Sequence, residues 1–190
     1  MNSSPMNHRR QAGASLIEVL ISVLLLSFGI LALGAMVSFI VQMPKLSGYH
    51  ATAVNLASNY VERMRANTDG FSNGSYDISS SYDNSQTKLS VNPSETCAYP
   101  GCDMKTLATM DFEEAKVAVR AELPAGGILM LRDNSSGATS TTVGDLWIMW
   151  QEPSTYAALN PSSADNCPKE ITDNYTAPAP RCLYMRFKLL

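Results

Sequence analysis

The feature that most constrains this chain of 190 residues is one long apolar segment near its amino terminus. Between residues 14 and 43, 22 of 30 positions are apolar, and the 26 residues from Val19 to Pro44 carry no charged side chain. As a helix these 26 residues would extend about 39 Å, which exceeds the hydrocarbon core of a bilayer. The segment therefore predicts one membrane-spanning helix. The absence of a second such run in the sequence excludes a multi-pass membrane protein.

The residues before the apolar segment are polar and include Arg9 and Arg10. Basic residues flanking a span favour the cytoplasmic side, so the remainder of the chain is predicted to lie across the membrane. A cleavable secretory signal peptide is the alternative interpretation. Its apolar core would be about 7–15 residues long, which is shorter than the run in this chain.

Glu18 is the one charged side chain between residues 14 and 43. A carboxylate in hydrocarbon costs about 2.5–3.5 kcal/mol on insertion scales, unless it lies at the depth of the headgroups, so it needs a partner or a functional reason. The string Gly13-Ala14-Ser15-Leu16-Ile17-Glu18 resembles the processing site of type IV prepilins. A basic leader, the glycine, the glutamate and the uncharged run all fall in register with that family, whereas Ala14 stands where the family usually has phenylalanine.

The resemblance implies that a prepilin peptidase cuts after Gly13 and N-methylates Ala14. The cut falls before the apolar segment, so the span is kept. It also implies that Glu18, the fifth residue of the processed chain, neutralises the amino terminus of a neighbouring subunit inside a filament, where an unpaired charge would be costly. Gly13, Ala14 and Glu18 are thus the predicted processing residues, and Glu18 is the predicted assembly residue.

Apolar residues at three- and four-residue steps continue the helix beyond the membrane and place one face of it against a head domain. They are Leu46, Tyr49, Ala53, Leu56, Tyr60 and Met64. We therefore predict a leader peptide at 1–13, a transmembrane and filament-core helix at 14–43, an amphipathic continuation at 44–67 and a periplasmic globular head at 68–190.

The head is predicted to combine one helix with an antiparallel sheet. Asp111 followed by Glu114 has the pattern of a capping box and predicts a helix start, and the segment 123–127, rich in proline and glycine, predicts its end. Strands are predicted at 128–131, 145–152 and 182–189, with short edge strands at 76–78 and 89–91. The predicted fold class is α+β, with a long helix packed on a small antiparallel sheet, as in type IV pilins.

The four cysteines are Cys97, Cys102, Cys167 and Cys182. A periplasmic head favours disulfides, and the neighbouring pairs Cys97–Cys102 and Cys167–Cys182 are preferred among three connectivities. The second pair would pin the long segment between Glu152 and Cys182. A four-cysteine zinc site is the alternative, but the spacings do not match the usual C-x-x-C pairs.

The sequence predicts no catalytic residue, no cofactor and no metal site. His8 lies in the leader and His50 on the long helix, and no glycine-rich phosphate loop or EF-hand spacing is present. Residues 45–190 hold 12 basic and 16 acidic side chains, which disfavours nucleic acid as a partner.

Features of the head resemble the PilV-type minor pilins of Gram-negative type IV pili. They are Arg63 to Asn67, Cys97 and Cys102 before Asp103, Asp111, the 123–127 turn, Trp150, and Arg181-Cys182. This implies a subunit that passes from the inner membrane to the surface pilus and helps to prime assembly of the filament or its tip complex. The implied partners are other minor pilins, the major pilin, the prepilin peptidase, the pilus assembly platform and a tip adhesin. The alternatives are a type II secretion pseudopilin and a DNA-uptake or adhesive binding pilin.

Overall fold

The computed structural model describes residues 15–98, 100–152, 165–176 and 179–189, so Gly13 and Ala14 lie outside the described residues. The helices are α1 (Leu16–Ala66), α2 (Thr68–Ser72), α3 (Met104–Glu122) and α4 (Lys169–Asn174), with a 3-10 turn at Pro93–Glu95. The strands are β1 (Gly127–Arg132), β2 (Val143–Trp150) and β3 (Arg181–Lys188). The chain divides into two units, residues 1–45 and residues 46–190, which are described in turn.

The first unit consists, in its described part, of the first half of α1. Leu16–Ser38 has a mean hydropathy of 2.6, and none of this segment is buried within the molecule. By length and composition it is the one helix among the described residues that could cross a membrane. Its large apolar side chains are exposed all round, with Leu16 at 79% and Leu31 at 70%. A helix that is apolar on every side needs an apolar environment from outside its own chain.

The second unit is built on a three-stranded antiparallel sheet in the order β1-β2-β3. In register, Ile128 pairs with Ile148 and Ile148 pairs with Leu183, so apolar side chains from all three strands share one face. This face packs against the second half of α1 and against α3. The core residues are Ala53, Ala57, Tyr60 and Met64 from α1, Ala108, Phe112 and Val119 from α3, and Ile128, Met130, Leu146, Ile148, Trp150 and Phe187 from the sheet. The predicted α+β class is confirmed.

Among the described residues, the cover on the opposite face of the sheet lies at one end. There Leu129, Met149 and Cys182 form a second, smaller core with Ile171 of α4 and with Tyr82. The ring of Tyr175 packs edge-on against Tyr82, with centroids 4.9 Å apart. Helix α4 and Tyr175 therefore form a lid over this end of the face.

The predicted helix start at Asp111 is wrong, because α3 begins at Met104. The N-cap is Asp103, whose carboxylate accepts a 2.7 Å hydrogen bond from the backbone N–H of Thr106. That bond lowers the pKa of Asp103. Asp111 lies in the middle of the helix and is buried rather than solvated. The predicted end is correct: Leu123 caps the helix, Ala125 adopts a left-handed conformation, and a Cβ on Gly126 would meet the Val119 carbonyl oxygen at 2.2 Å.

Residues 73–96 contain little regular structure. Of the predicted edge strands, 76–78 contributes a single bridge between Ile78 and Met130, and 89–91 forms no strand. The backbone N–H of Ser81 donates to Ile128 O at 3.0 Å, so this segment follows the outer edge of β1. Tyr76 and Tyr82 are buried and anchor it to the head.

Candidate functional site

Glu18 lies in the first turn of α1, on the apolar half of the helix. Its backbone N–H donates to Ser15 O at 2.9 Å, and the Ser22 hydroxyl donates to Glu18 O at 2.6 Å. The side chain is exposed and makes no ion pair or hydrogen bond with any described residue. The carboxylate is therefore placed at the positive end of the helix dipole, beside apolar side chains and without a partner among the described residues.

The surface around Glu18 is apolar. Leu16, Ile17 and Leu20 are more than 60% exposed, and a shallow groove further along is lined by Leu24, Phe28 and Leu31 together with their neighbours. A soluble monomer does not expose so large a contiguous apolar surface to water. Glu18 and this surface together form a candidate assembly site, suited to a lipid or protein environment in which the carboxylate meets a cation.

A cluster of charged and polar side chains joins the second half of α1 to α3. Arg63 Nη1 lies 3.2 Å from Asp111 Oδ1 and 2.5 Å from Glu114 Oε2. Asp111 is 7% exposed, whereas Arg63 is 34% exposed. Although partial burial acts to lower the pKa of Arg63, its hydrogen bonds to Glu114 and Asp111 raise it overall, so the guanidinium stays charged.

Two further residues complete this cluster. The Tyr76 hydroxyl donates to Asp111 Oδ2 at 2.6 Å, and Asn67 Nδ2 donates to Tyr76 Oη at 3.2 Å. Burial raises the pKa of Tyr76, and the hydrogen bond to the carboxylate raises it further, so the phenol remains the donor. Both oxygens of Asp111 are thus occupied. We call Arg63, Asn67, Tyr76, Asp111 and Glu114 the α1–α3 cluster.

The α1–α3 cluster fixes the position of the second half of α1 against α3. The apolar stripe of α1 sets which face of the helix is buried, but apolar contacts are not directional. The hydrogen bonds of Asp111 are directional and are costly to break in a buried site. The α1–α3 cluster therefore links α1 to α3 through defined side-chain contacts.

The structure contains two disulfides, Cys97–Cys102 and Cys167–Cys182, with Cα–Cα distances of 5.4 and 5.3 Å. These are the pairs favoured from the sequence. The first closes a small loop directly before the α3 N-cap, Asp103. The second ties the residues before α4 to β3, next to the lid over the second core.

Removing the Cys167–Cys182 disulfide by a double Cys→Ser substitution is expected to lower the free energy of unfolding by about 3 kcal/mol, because the bridge closes a loop of about 15 residues. The matched control is Cys97→Ser with Cys102→Ser, whose shorter loop predicts a loss of about 2 kcal/mol. Denaturant unfolding of both variants measures the two losses of unfolding free energy and shows which is larger. A larger loss for the shorter loop would contradict the loop-closure account.

Sequence reasoning missed two buried charged residues. The first is Asp111, for which the sequence pattern predicts a helix cap. Arg120 is the second: its side chain is 1% exposed, its Nε donates to Gly126 O at 2.7 Å, and its Nη2 lies 2.6 Å from Asp83. The available signal for both was their spacing from buried apolar residues, because Asp111 follows Ala108 by three residues and Arg120 precedes Leu123 by three. No group of three or more potential metal-ligating side chains occurs in the described part of the chain.

Comparison with known proteins gives one match. Residues 8–34 fit the family model described as the prokaryotic N-terminal methylation motif, a type IV pilin-like prepilin signal. No curated protein and no solved structure matches the chain. The motif indicates a protein of the type IV pilin or pseudopilin kind, and followed by one exposed apolar helix it suits a membrane-anchored subunit.

Proposed function

We propose that the chain is a minor pilin of the PilV type, which a prepilin peptidase processes and which then enters a type IV pilus. The observation that carries this proposal is the prepilin signal at 8–34 leading directly into an exposed apolar helix, with Glu18 in its first turn. The small α+β head with two disulfides is consistent with an extracytoplasmic location.

The physical logic concerns where the apolar surface of α1 lies at each stage. Before assembly the segment 14–43 spans the inner membrane of a Gram-negative cell, with the leader 1–13 in the cytoplasm and the head at 68–190 in the periplasm. Cleavage after Gly13 removes Arg9 and Arg10, the charges that hold the amino terminus on the cytoplasmic side. The helix then exchanges lipid for the helices of neighbouring subunits, with little change in the water exposure of its side chains.

The proposed role of the subunit is to help start the filament or its tip complex. Its partners would be other minor pilins, the major pilin and the assembly platform, with a tip adhesin bound at the same end. The amphipathic segment 44–67 would transmit the position of the filament-core helix to the head through the α1–α3 cluster.

Intact mass spectrometry of the protein extracted from membranes tests this proposal. In cells with an active prepilin peptidase, the expected species lacks residues 1–13 and carries one methyl group on the Ala14 nitrogen. In a peptidase-deficient strain the same protein should retain the leader. A mass that includes residues 1–13 in the peptidase-positive strain would overturn the proposal.

Gene deletion separates the minor pilin from its alternatives. Loss of surface pili with intact protein secretion is expected for the minor pilin, whereas blocked secretion with intact pili would indicate a type II pseudopilin. A DNA-uptake pilin would need a basic surface, and the excess of acidic over basic side chains in residues 45–190 does not supply one overall.

A further inference from the structure

Two aromatic rings lie side by side on the outer sheet face, next to the lid. Trp147 on β2 and Tyr184 on β3 are register partners, with ring centroids 5.2 Å apart and ring planes tilted by 35°. The next row holds Leu131, Asp145 and Arg186, which are likewise in register. Register partners share a face, so both rows lie on the side opposite the main core.

This part of the face is more exposed than its neighbours, although Trp147 is partly buried and also packs against the second core. Leu129, Met149 and Cys182, further along the same face, are at most 6% exposed beneath α4 and its flanking residues. By contrast, Leu131 is 43% exposed, the Arg186 side chain is 49% exposed, and both aromatic rings are half-buried. Trp147 and Tyr184 thus lie at the step between the buried second core and the exposed residues of the same face.

The side chains of this step are held in place by one another. The Tyr184 hydroxyl donates to Asp145 Oδ1 at 2.7 Å, and Trp147 Nε1 donates to Asn166 O at 2.7 Å. Arg186 forms an ion pair with Asp133 and lies 4.0 Å from Asp145. Because the rings and the guanidinium are fixed in advance, a ligand would lose little free energy in ordering them. We call Leu131, Asp133, Asp145, Trp147, Tyr184 and Arg186 the aromatic platform.

The charges of the aromatic platform restrict its ligand. One guanidinium faces two carboxylates, so the platform carries a net charge of about −1 and opposes polyanions such as nucleic acid or sulfated and sialylated glycans. Its six residues are far fewer than the roughly 20–30 per side of a stable protein interface. A small neutral ligand with both apolar and hydroxyl groups meets these conditions, because ring faces receive C–H groups while Arg186 and the carboxylates exchange hydrogen bonds with hydroxyls.

We propose that the aromatic platform binds a neutral saccharide, with one pyranose ring stacked on Trp147 and its hydroxyl groups hydrogen-bonded to Arg186 and Asp145. This activity goes beyond the role of the chain as a filament subunit. A single sugar ring on a shallow surface predicts a Kd of about 1 mM for one residue of the saccharide.

The test uses the full-length processed protein in lipid nanodiscs, free of glycoside detergents that would compete for the platform. The probes are the methyl glycosides of glucose, galactose, mannose and N-acetylglucosamine, each titrated by saturation-transfer NMR. At least one glycoside is expected to bind saturably, with the strongest transfer to the C–H groups of one ring face. If none of the four binds, the proposal is overturned.

Variants locate the binding. Trp147→Ala is expected to weaken binding about tenfold or more, and Trp147→Phe, which keeps a ring, to restore most of it. Arg186→Gln offers a second test that leaves the packing of the core unchanged. The matched control is Lys188→Ala, because Lys188 is an exposed residue of the same strand outside the platform. Unchanged binding in both the Trp147→Ala and Arg186→Gln variants would overturn the proposal.

Two other outcomes would replace the ligand class. Binding of a short oligothymidylate, lost in the Trp147→Ala variant, would indicate stacking of nucleic acid bases instead of sugars. Loss of Trp147→Ala subunits from pili, with no glycoside bound by the unmodified protein, would make the platform a contact between subunits. Normal filament entry of that variant together with lost glycoside binding is the expected pair of results, which also separates this proposal from the minor pilin role.

Discussion

Glu18→Ala subunits are expected to be cleaved normally and to be nearly absent from filaments. The proposed cut after Gly13 lies five residues before Glu18, so we expect cleavage to persist in this variant. In the filament, however, the amino terminus of a neighbouring subunit would lose the carboxylate that neutralises it in an apolar environment. An unpaired charge there costs several kcal/mol, which predicts a fall in incorporation of about tenfold or more. The measurement is the ratio of this subunit to major pilin in sheared pili.

The control for this prediction is Glu62→Ala. Glu62 lies on the same helix, and its partner Arg65 is an exposed residue one turn away, so the contact contributes little. This variant should enter filaments normally. Glu18→Asp keeps the charge on a shorter side chain and should give an intermediate level. Wild-type incorporation of the Glu18→Ala subunit would refute the charge-pairing role, whereas loss of cleavage would show that Glu18 belongs to the peptidase site as well.

Asp111→Ala is expected to lower the free energy of unfolding of the head by about 2–3 kcal/mol. The substitution removes the acceptor of the buried Tyr76 hydroxyl and one partner of Arg63. Arg63 is one-third exposed and keeps Glu114, so the loss should fall short of that for a fully buried pair. Denaturant unfolding followed by the fluorescence of Trp147 and Trp150 measures it.

Glu122→Ala provides the matched control on the same helix. Glu122 is exposed at the end of α3, and its removal should change the free energy of unfolding by no more than about 0.5 kcal/mol. The free energy of unfolding of the Asp111→Asn variant should lie between those of the Asp111→Ala and Glu122→Ala variants. Its amide oxygen can still accept a hydrogen bond from Tyr76, but the charge is lost. Equal stability of the Asp111→Ala and Glu122→Ala variants would contradict the role assigned to the α1–α3 cluster.

The elements with a strong local pattern could be predicted from the sequence. The uncharged run predicts the first half of α1. The apolar stripe at Ala53, Tyr60 and Met64 predicts which face of the helix packs on the head. The alternation of apolar and polar residues in 182–189 predicts β3. In each case the burial pattern is set by residues close together in the sequence, so the period reports the structure directly.

Elements whose role depends on a distant partner could not be predicted in this way. Asp111 and Arg63 are 48 residues apart, and Tyr76 is 35 residues from Asp111. A carboxylate three residues before a glutamate has the same local pattern whether it caps a helix or lies buried against an arginine. The aromatic platform likewise depends on the register between β2 and β3, which the sequence does not specify on its own.

The residues of α1 that enter the main core decide where a water-soluble fragment of this protein can begin. Ala53, Ala57, Tyr60 and Met64 close one side of the core, and Arg63 belongs to the α1–α3 cluster. A fragment that begins at residue 68 would lack these α1 residues. The apolar face of the sheet and α3 would then be exposed to water, and we expect such a fragment to aggregate. A cut near residue 46 would discard the exposed apolar half of the helix and keep the described α1 side chains that contribute to the core.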